Sequence, residues 1–428
     1  MPSSDNPSSP SPSQRSTFEW NTVLRRSPPL LALSLYVRSM LPSGLQPNKF
    51  TFTFLLRAAK YFPENVPILH AHLTKLCFLH DPFLRSALIS VYASISRLSP
   101  AVKIFHFYPH DDVVLQTTLL SALARCGRFE EARKLFDEMP NPNPITWAAL
   151  ITAYSHAGRE ADALATFVRA RLAGAAATEA GLVSVLSSAA RLGALPDGER
   201  AHCNAVVAFP LTSTLGTALL TMYSKCGRVN SARRVFDEMP HRDQPAWTAM
   251  LTALAAHGNG TEALRLFGDM LRHGLAPDHV TYIGVLHACS HAGLVDEARE
   301  VFHRMRTVDG IEPRREHYGC MVDVLARAKE VEEAWEMVLS MPMEPDERVL
   351  KSLLSASCEH GFVDCAEWTA ERLIRMDAGH APAYVMLSNM YAGMGRWEDS
   401  ARVRKLMRVR GVPKSPGCSA VGSTVKSQ

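Results

Sequence analysis

Seventeen histidines and nine cysteines are the residues of this 428-residue chain best suited to metal or nucleophilic chemistry. Their spacing does not gather them. The cysteines stand at Cys77, Cys126, Cys203, Cys226, Cys289, Cys320, Cys358, Cys365 and Cys418. The number is odd and no pair has Cys-x-x-Cys spacing, which argues against a disulfide framework and a thiolate zinc site. Reduced, small, buried side chains are the simple reading. Zinc-dependent base deamination needs His-x-Glu together with Cys-x-x-Cys, and neither occurs. His-Glu-x-x-His and a phosphate-cradling Gly-rich loop ending in Lys-Ser/Thr are also missing. His156, His257 and His291 recur at similar places after helical stretches and read as turn residues. No catalytic residue, metal site or cofactor is expected, and the chain is not expected to be an enzyme.

The remaining chemistry is recognition. The chain carries 46 Lys+Arg against 42 Asp+Glu, a formal charge of +4, with 47% hydrophobic residues. This excludes a disordered chain, a collagen-like chain and a polybasic tail. It permits a basic stripe for nucleic acid without demanding one. The longest charge-free stretch worth testing, Ala201 to Ser224, holds His202, Asn204, Pro210 and several threonines. It is too polar and too broken for a bilayer helix, so no membrane partner is expected.

The elements that would position recognition residues emerge from an internal repeat. Arg133-Lys134-Leu135-Phe136-Asp137-Glu138-Met139-Pro140 reappears 100 residues later as Arg233-Arg234-Val235-Phe236-Asp237-Glu238-Met239-Pro240. Trp147 and Trp247 keep that offset, as do Cys126-Gly127-Arg128 and Cys226-Gly227-Arg228. Inside it lies a shorter period. An alanine followed four residues later by an aromatic occurs at Ala32/Tyr36, Ala101/Phe105, Ala132/Phe136, Ala163/Phe167, Ala232/Phe236, Ala263/Phe267 and Ala298/Phe302. Residues at i and i+4 share a helix face, so the alanine admits a partner helix and the aromatic fills the space beside it. Met139, Met239, Met270 and Met305 extend the same stripe, which reads as core. Repetition at about 34 residues means a solenoid in which each unit is one helical hairpin.

One unit shows the pattern clearly. Trp147, Leu150, Ile151 and Tyr154 predict a first helix over roughly 145–156, ended by Gly158 as a left-handed cap. A second helix is predicted over 160–172. Pro140, Pro240, Pro277 and Pro313 fall between units, where a helix must stop. The register cuts the chain into ten units: 17–48, 49–81, 82–112, 113–143, 144–178, 179–212, 213–243, 244–278, 279–314 and 315–346. Two less similar hairpins follow at roughly 347–380 and 381–413. Residues 1–16, rich in Ser and Pro, read as flexible or extended.

With this register in place, the chain resembles the plant pentatricopeptide repeat family, in the subclass that mixes long, short and standard repeats. The likeness rests on Tyr223-Ser224-Lys225-Cys226-Gly227-Arg228, Val235-Phe236-Asp237-Glu238-Met239-Pro240, Gly274-Leu275-Ala276-Pro277-Asp278, Glu316-His317-Tyr318-Gly319-Cys320-Met321-Val322-Asp323 and Met341-Pro342-Met343-Glu344-Pro345-Asp346. The fold it implies is all-α: a right-handed α-solenoid superhelix of antiparallel helix-turn-helix repeats, like tetratricopeptide arrays. The function it implies is sequence-specific binding of single-stranded organellar RNA, about one base per repeat. Residues 17–346 would be the RNA-binding part.

In that family the fifth and last residues of a unit read the base. Carried over, the pairs are Asn21/Asn48, Thr53/Asp81, Ser86/Asp112, Thr117/Asn143, Ala148/Thr178, Val183/Thr212, Thr217/Asp243, Thr248/Asp278, Ile283/Arg314 and Gly319/Asp346. The family's code implies a pyrimidine for Asn/Asn, A for Thr/Asn, and G for Thr/Asp and Ser/Asp. Pairs lacking a polar fifth residue should discriminate little, and long units, Thr53/Asp81 among them, are weak readers. The implied site, 5′ to 3′, is pyrimidine, any, G, A, any, any, G, G. Apolar second residues such as Phe18, Phe50, Phe83, Val114 and Ile145 would pack on base faces. Arg125, Lys225 and Arg327, each thirteenth in its unit, either contact phosphate or complement the helix dipole.

The last two hairpins point to protein contact. Tyr384, Asn389, Tyr391-Ala392, Gly395 and Ala401 resemble a tetratricopeptide repeat. Residues 347–419 resemble the paired extension (E) motifs of organelle RNA-editing factors, ending at Lys414-Ser415-Pro416-Gly417-Cys418-Ser419. Arg402, Arg404, Lys405, Arg408 and Arg410 form a basic face there, either solvated or in contact with nucleic acid. Ala420-Val421-Gly422 departs from the family's usual continuation, and residues 420–428 form a tail. With no deaminase motifs present, a DYW-type cytidine deaminase would be a partner in trans, through 347–419. The expected role is site recognition for C-to-U editing in the mitochondrion, or alternatively the chloroplast. An RNA stabilisation, processing or splicing role and a protein-binding scaffold are the other readings. Residues 1–16, with Arg15 and one acid, partly resemble a transit peptide.

Overall fold

A computed structural model describes residues 16–107 and 112–413. Among them, 24 α-helices follow one another through short turns, with no strand. The repeat period explains the absence, because each unit of about 34 residues is used up by two helices and their turns. No helix among the described residues is long and apolar enough to cross a membrane. The chain falls into two compact units, residues 1–222 and 223–428.

The first unit is built of helical hairpins whose first helices begin at Thr17, Lys49, Pro82, Val113, Pro144 and Glu179, each the opening residue of a repeat. The hairpin predicted over 145–156 and 160–172 is formed by helices Pro144–His156 and Glu160–Leu172, and Gly158 between them has φ +71°. The amino-terminal hairpins are less regular. Helix Pro29–Leu35 continues as a π-helical turn, Tyr36–Met40, and a 3-10 turn precedes Asp81. Ser16, the last residue of the stretch read as flexible or extended, has an extended backbone and caps the first helix: its hydroxyl accepts from the Glu19 amide. Residues 1–15, 108–111 and 414–428 lie outside the described residues, and with them the leader, the Lys414–Ser419 run and the tail.

In the second unit, first helices begin at Gln244, His279, Arg315, Glu347 and Ala381. The alanine of every Ala/aromatic pair in both units is buried, and so is its aromatic. Where the fourth residue of the following repeat is also aromatic, the second helix presents its aromatic to it. The rings meet edge to face: Phe136 and Trp147 at 4.5 Å, Phe236 and Trp247 at 5.0 Å, Phe267 and Tyr282 at 5.5 Å, Phe302 and Tyr318 at 5.4 Å. This geometry suits the aromatic quadrupole. It is the seam that joins one hairpin to the next, and it fixes the rotation of each first helix: with the fourth residue facing the previous hairpin, the fifth must face elsewhere. The last two hairpins close on their own core of Leu350, Leu354, Leu373, Tyr384, Tyr391 and Met407.

Close helix approach is visible at Gly260, at the start of helix Gly260–Arg272. A Cβ there would lie 2.4 Å from Ala292 Cβ and 2.7 Å from the Ala288 carbonyl oxygen. Gly260→Ala must therefore push the helix Gly260–Arg272 away from His279–Ala292. The expected cost is about 1–3 kcal/mol, typical of overpacking, despite alanine's higher helix propensity. Urea denaturation of the variant checks this, and an unchanged or raised midpoint would contradict it.

Candidate nucleic-acid interface

The last residue of each repeat is the N-cap of the next first helix, where four amide groups lack helical partners. Asn48 Oδ1 accepts from the Phe50 and Thr51 amides, both at 3.1 Å. Asp81 Oδ1 takes the Phe83 amide at 2.9 Å, Asp112 that of Val114 at 2.8 Å and Asn143 that of Thr146 at 2.9 Å. Thr178, Thr212, Asp243, Asp278 and Asp346 cap in the same way. Arg314 has no such side chain. There the buried ring of His317 makes only the reciprocal bond of a capping box, Nδ1 accepting from the Arg314 amide at 3.0 Å, and the His317 amide turns to the Arg314 carbonyl at 3.0 Å. The ring's Nε2–H then donates to the His279 carbonyl at 3.0 Å, and burial lowers its pKa, which suits the neutral ring.

Where the cap is Asn or Asp, the cap role does not consume the side chain, because it has a second polar atom beyond the one that faces the helix. In three places the fifth residue of the preceding repeat joins it. Asn21 Nδ2 donates to Asn48 Oδ1 at 3.0 Å. The Thr117 and Thr146 hydroxyls lie 2.8 Å apart, and Thr146 Oγ1 donates to Asn143 Oδ1 at 3.0 Å. The Thr248 and Thr281 hydroxyls lie 2.8 Å apart, and Thr281 Oγ1 donates to Asp278 Oδ1 at 2.8 Å. The structure thus assembles Asn21/Asn48, Thr117/Asn143 and Thr248/Asp278 into linked groups. It does not link Ser86 with Asp112: the Ser86 hydroxyl is buried without a partner. The Thr217 hydroxyl, in the first unit, is likewise buried without one, while Asp243 lies in the second unit. Thr53 turns to its own helix, donating to Lys49 O at 2.9 Å.

The linking residue is the third of the repeat: Thr51, Thr146 and Thr281, all fully buried. Sequence reading overlooked it. The signal was available as Asn48-x-x-Thr51, Asn143-x-x-Thr146 and Asp278-x-x-Thr281, a variant of the capping box. Asp278 illustrates the electrostatics. Burial pushes its carboxyl pKa up, but hydrogen bonds from Thr281 N–H and O–H and from the Val280 and Asp278 amides outweigh that and hold it below the ordinary aspartate range. Asp278 is therefore an anion, with acceptors only, at neutral pH.

Around these groups lie exposed apolar residues at the second position. Phe18, Phe50, Phe83, Val114, Ile145 and Val280 are each more than half exposed. Side chains of this kind normally pack inward, so a stripe at repeat spacing marks a contact surface. A groove of about 750 Å³ collects the second, fifth and thirteenth positions of neighbouring repeats: Ile145, Ala148, Arg125 and His156 line it. Arg125 and Lys225 are exposed, and Arg125 opens onto this groove. Arg327 is engaged, donating to Asp323 at 3.1 Å. His156 ends its helix and His257 caps one, whereas His291 lies within helix His279–Ala292, its ring edge-on to that of His287 one turn before it. On the basic face of the last helix, Arg402 pairs with Asp399 at 2.6 Å, Arg404 donates to Ser388 and Arg410 to Tyr384. Lys405 and Arg408 stand exposed.

Comparison with known proteins agrees with this architecture. A family model described as PPR repeat matches residues 117–141, 145–174, 217–243, 280–308 and 316–344. A PPR repeat family model matches 242–291, and an E motif model matches 360–422. The pentatricopeptide repeat-containing protein At5g43790 of Arabidopsis thaliana is 34% identical over 91% of this chain and 80% of its own length. Another from that plant, At2g20540, is 41% identical over 96% of this chain and 78% of its own. The relative named At2g03880, mitochondrial, is 35% identical, and this chain spans 60% of it. Among solved structures, the pentatricopeptide repeat protein PPR10 from maize superposes with a TM-score of 0.63 at 17% identity, over 93% of this chain and 65% of that one. The fold is therefore the all-α solenoid of helical hairpins. From its repeats, seams and caps, and from relatives matched along nearly its whole length, the chain belongs to the pentatricopeptide repeat family and carries an E motif.

Proposed function

We propose that this protein binds single-stranded organellar RNA sequence-specifically and selects sites for C-to-U editing, with a DYW-type cytidine deaminase recruited in trans through residues 347–419. One observation carries the RNA reading. Polar fifth residues and half-exposed caps meet within hydrogen-bonding reach beside a stripe of exposed apolar second residues. A base stacked on the stripe would present its Watson–Crick edge to the pair. Arg125 and Lys225 would then meet phosphate. The E motif match favours editing over the other RNA roles. A groove of about 980 Å³ in the last hairpins, lined by Ile374, Leu387, Tyr391, Val403 and Leu406 among charged residues, is the surface offered to the deaminase. Relatives named mitochondrial and chloroplastic support an organelle, and the mitochondrion is the compartment proposed.

The test has two arms. The full chain should bind RNA carrying 5′-CUGAUUGG-3′ more tightly than a scrambled RNA at one fixed salt concentration, since unspecific phosphate binding varies steeply with salt. Plants without the protein should lose editing at one or a few organellar cytidines downstream of such a site. Equal binding of both RNAs would refute base reading. Intact editing with an altered transcript end or intron would refute editing while keeping the RNA.

A further inference from the structure

The base-reading pairs differ in a way that their own residue types do not explain. Thr248 and Thr281 sit in adjacent repeats, 33 residues apart, yet their hydroxyls share a hydrogen bond. Thr281 Oγ1 also donates to Asp278 Oδ1 at 2.8 Å and accepts from the Asp278 amide at 3.3 Å. A threonine hydroxyl has one proton and two lone pairs. The proton is committed to Asp278, so the bond between the two threonines must be donated by Thr248. That leaves Thr248 with lone pairs only. Asp278, ionised and with Oδ1 taken by the Thr281 amide and hydroxyl, offers Oδ2, also an acceptor. Two acceptors side by side match an edge with two adjacent donors. Guanine has one in N1–H and its amino group; adenine sets N1, an acceptor, against them.

We propose that the buried third-position threonine is a positioning residue that sets the hydrogen-bond polarity of the base-reading pair spanning the preceding repeat junction. The proposal rests on the base-reading role above and adds a third residue to it. Thr51 acts likewise, donating to Asn21 Oδ1 at 2.7 Å while its amide holds Asn48 Oδ1, which leaves as donors the Asn48 Nδ2 group and the one Asn21 N–H not given to Asn48. Two donors suit the acceptors of a pyrimidine edge. Thr146 holds Asn143 Oδ1 and turns its amide nitrogen outward beside Thr117. A donor beside an acceptor suits adenine. Leu115 occupies the third position after Ser86/Asp112, and there the Ser86 hydroxyl has no partner to orient it. That pair should read its base less sharply than Thr248/Asp278.

Thr281→Val tests the proposal in the full chain. Valine keeps the shape and the backbone amide that holds Asp278 Oδ1, and removes only the hydroxyl. Freed of Thr281, the Thr248 hydroxyl can donate to adenine N1. The probe is RNA carrying 5′-CUGAUUGG-3′, with its last G or its A replaced in turn by each other base, read by fluorescence anisotropy at fixed salt. The wild type should prefer G over A at the eighth base, and Thr281→Val should reduce that preference about tenfold, the scale of one hydrogen bond gained or refused. Preference for A at the fourth base should not move, and Thr281→Ser should restore the wild-type pattern. Circular dichroism melting confirms that the variants fold. A Thr281→Val protein that keeps the full G preference overturns the proposal. A wild type with preference elsewhere but none at the eighth base also overturns it. A wild type with no preference anywhere overturns base reading itself, a distinct result.

Discussion

Trp247→Ala should lower local stability by about 3–5 kcal/mol, the usual cost of deleting a buried aromatic. Trp247 is 3% exposed and stands edge-on to Phe236 at 5.0 Å, with His273 on its other side at 5.3 Å. Its removal empties the seam between two hairpins rather than a central core. In a solenoid, stability is a sum of repeat and neighbour terms, so the damage should stay local. Hydrogen exchange should therefore show the largest loss of protection in helices Val229–Glu238, Gln244–Ala256 and Gly260–Arg272. Helices many repeats away along the chain, such as Pro82–Ser94, should keep theirs. A uniform loss along the chain would show that the seams are not independent. Trp247→Phe should recover much of the protection by preserving an edge-to-face pair.

Asp278→Asn should shift the preferred eighth base from G toward A by about 10–100-fold in relative affinity, the 1–3 kcal/mol span of a paired base contact. Asparagine caps helices as well as aspartate, so the helix start and the Thr281 bonds through Oδ1 should survive. Only the outward atom changes, from the acceptor Oδ2 to the donor Nδ2. Binding of the variant to RNAs differing at that base, at one salt concentration, reads the change directly. Loss of affinity for all bases alike would mean that Asp278 supports the fold and does not read. No change at all would place the base elsewhere.

The architecture was legible because it repeats. The alanine and aromatic at i and i+4, seen seven times, disclosed both the period and the buried face, and Pro140 and Pro240 marked the breaks. Helix Glu160–Leu172 emerged from the sequence with its observed ends. The amino-terminal hairpins were less clear. The π-helical turn at Tyr36–Met40 depends on packing that a single window does not reveal. At the candidate site the pairs could be named from register, but their linkage could not. Whether Thr248 is a donor or an acceptor depends on Thr281, which is distant in sequence and joins it only once two hairpins stack. Ser86 and Thr117 look alike in sequence, yet one hydroxyl is orphaned and the other shared, because Leu115 and Thr146 differ one repeat later.

The capping role of each repeat's last residue limits how such a protein can change what it recognises. On the base-reading role proposed above, a letter written at that position must also start a helix, and only Asn, Asp, Ser, Thr and Gly do this well, at a difference of about 0.5–2 kcal/mol from other residues. Mutational drift among Asn, Asp and Thr is thus nearly free in folding terms, and each step revises the message. Steps outside that alphabet give up the side-chain cap, as at Arg314. Specificity in this lineage can wander quickly along a short vocabulary while the scaffold stays the same.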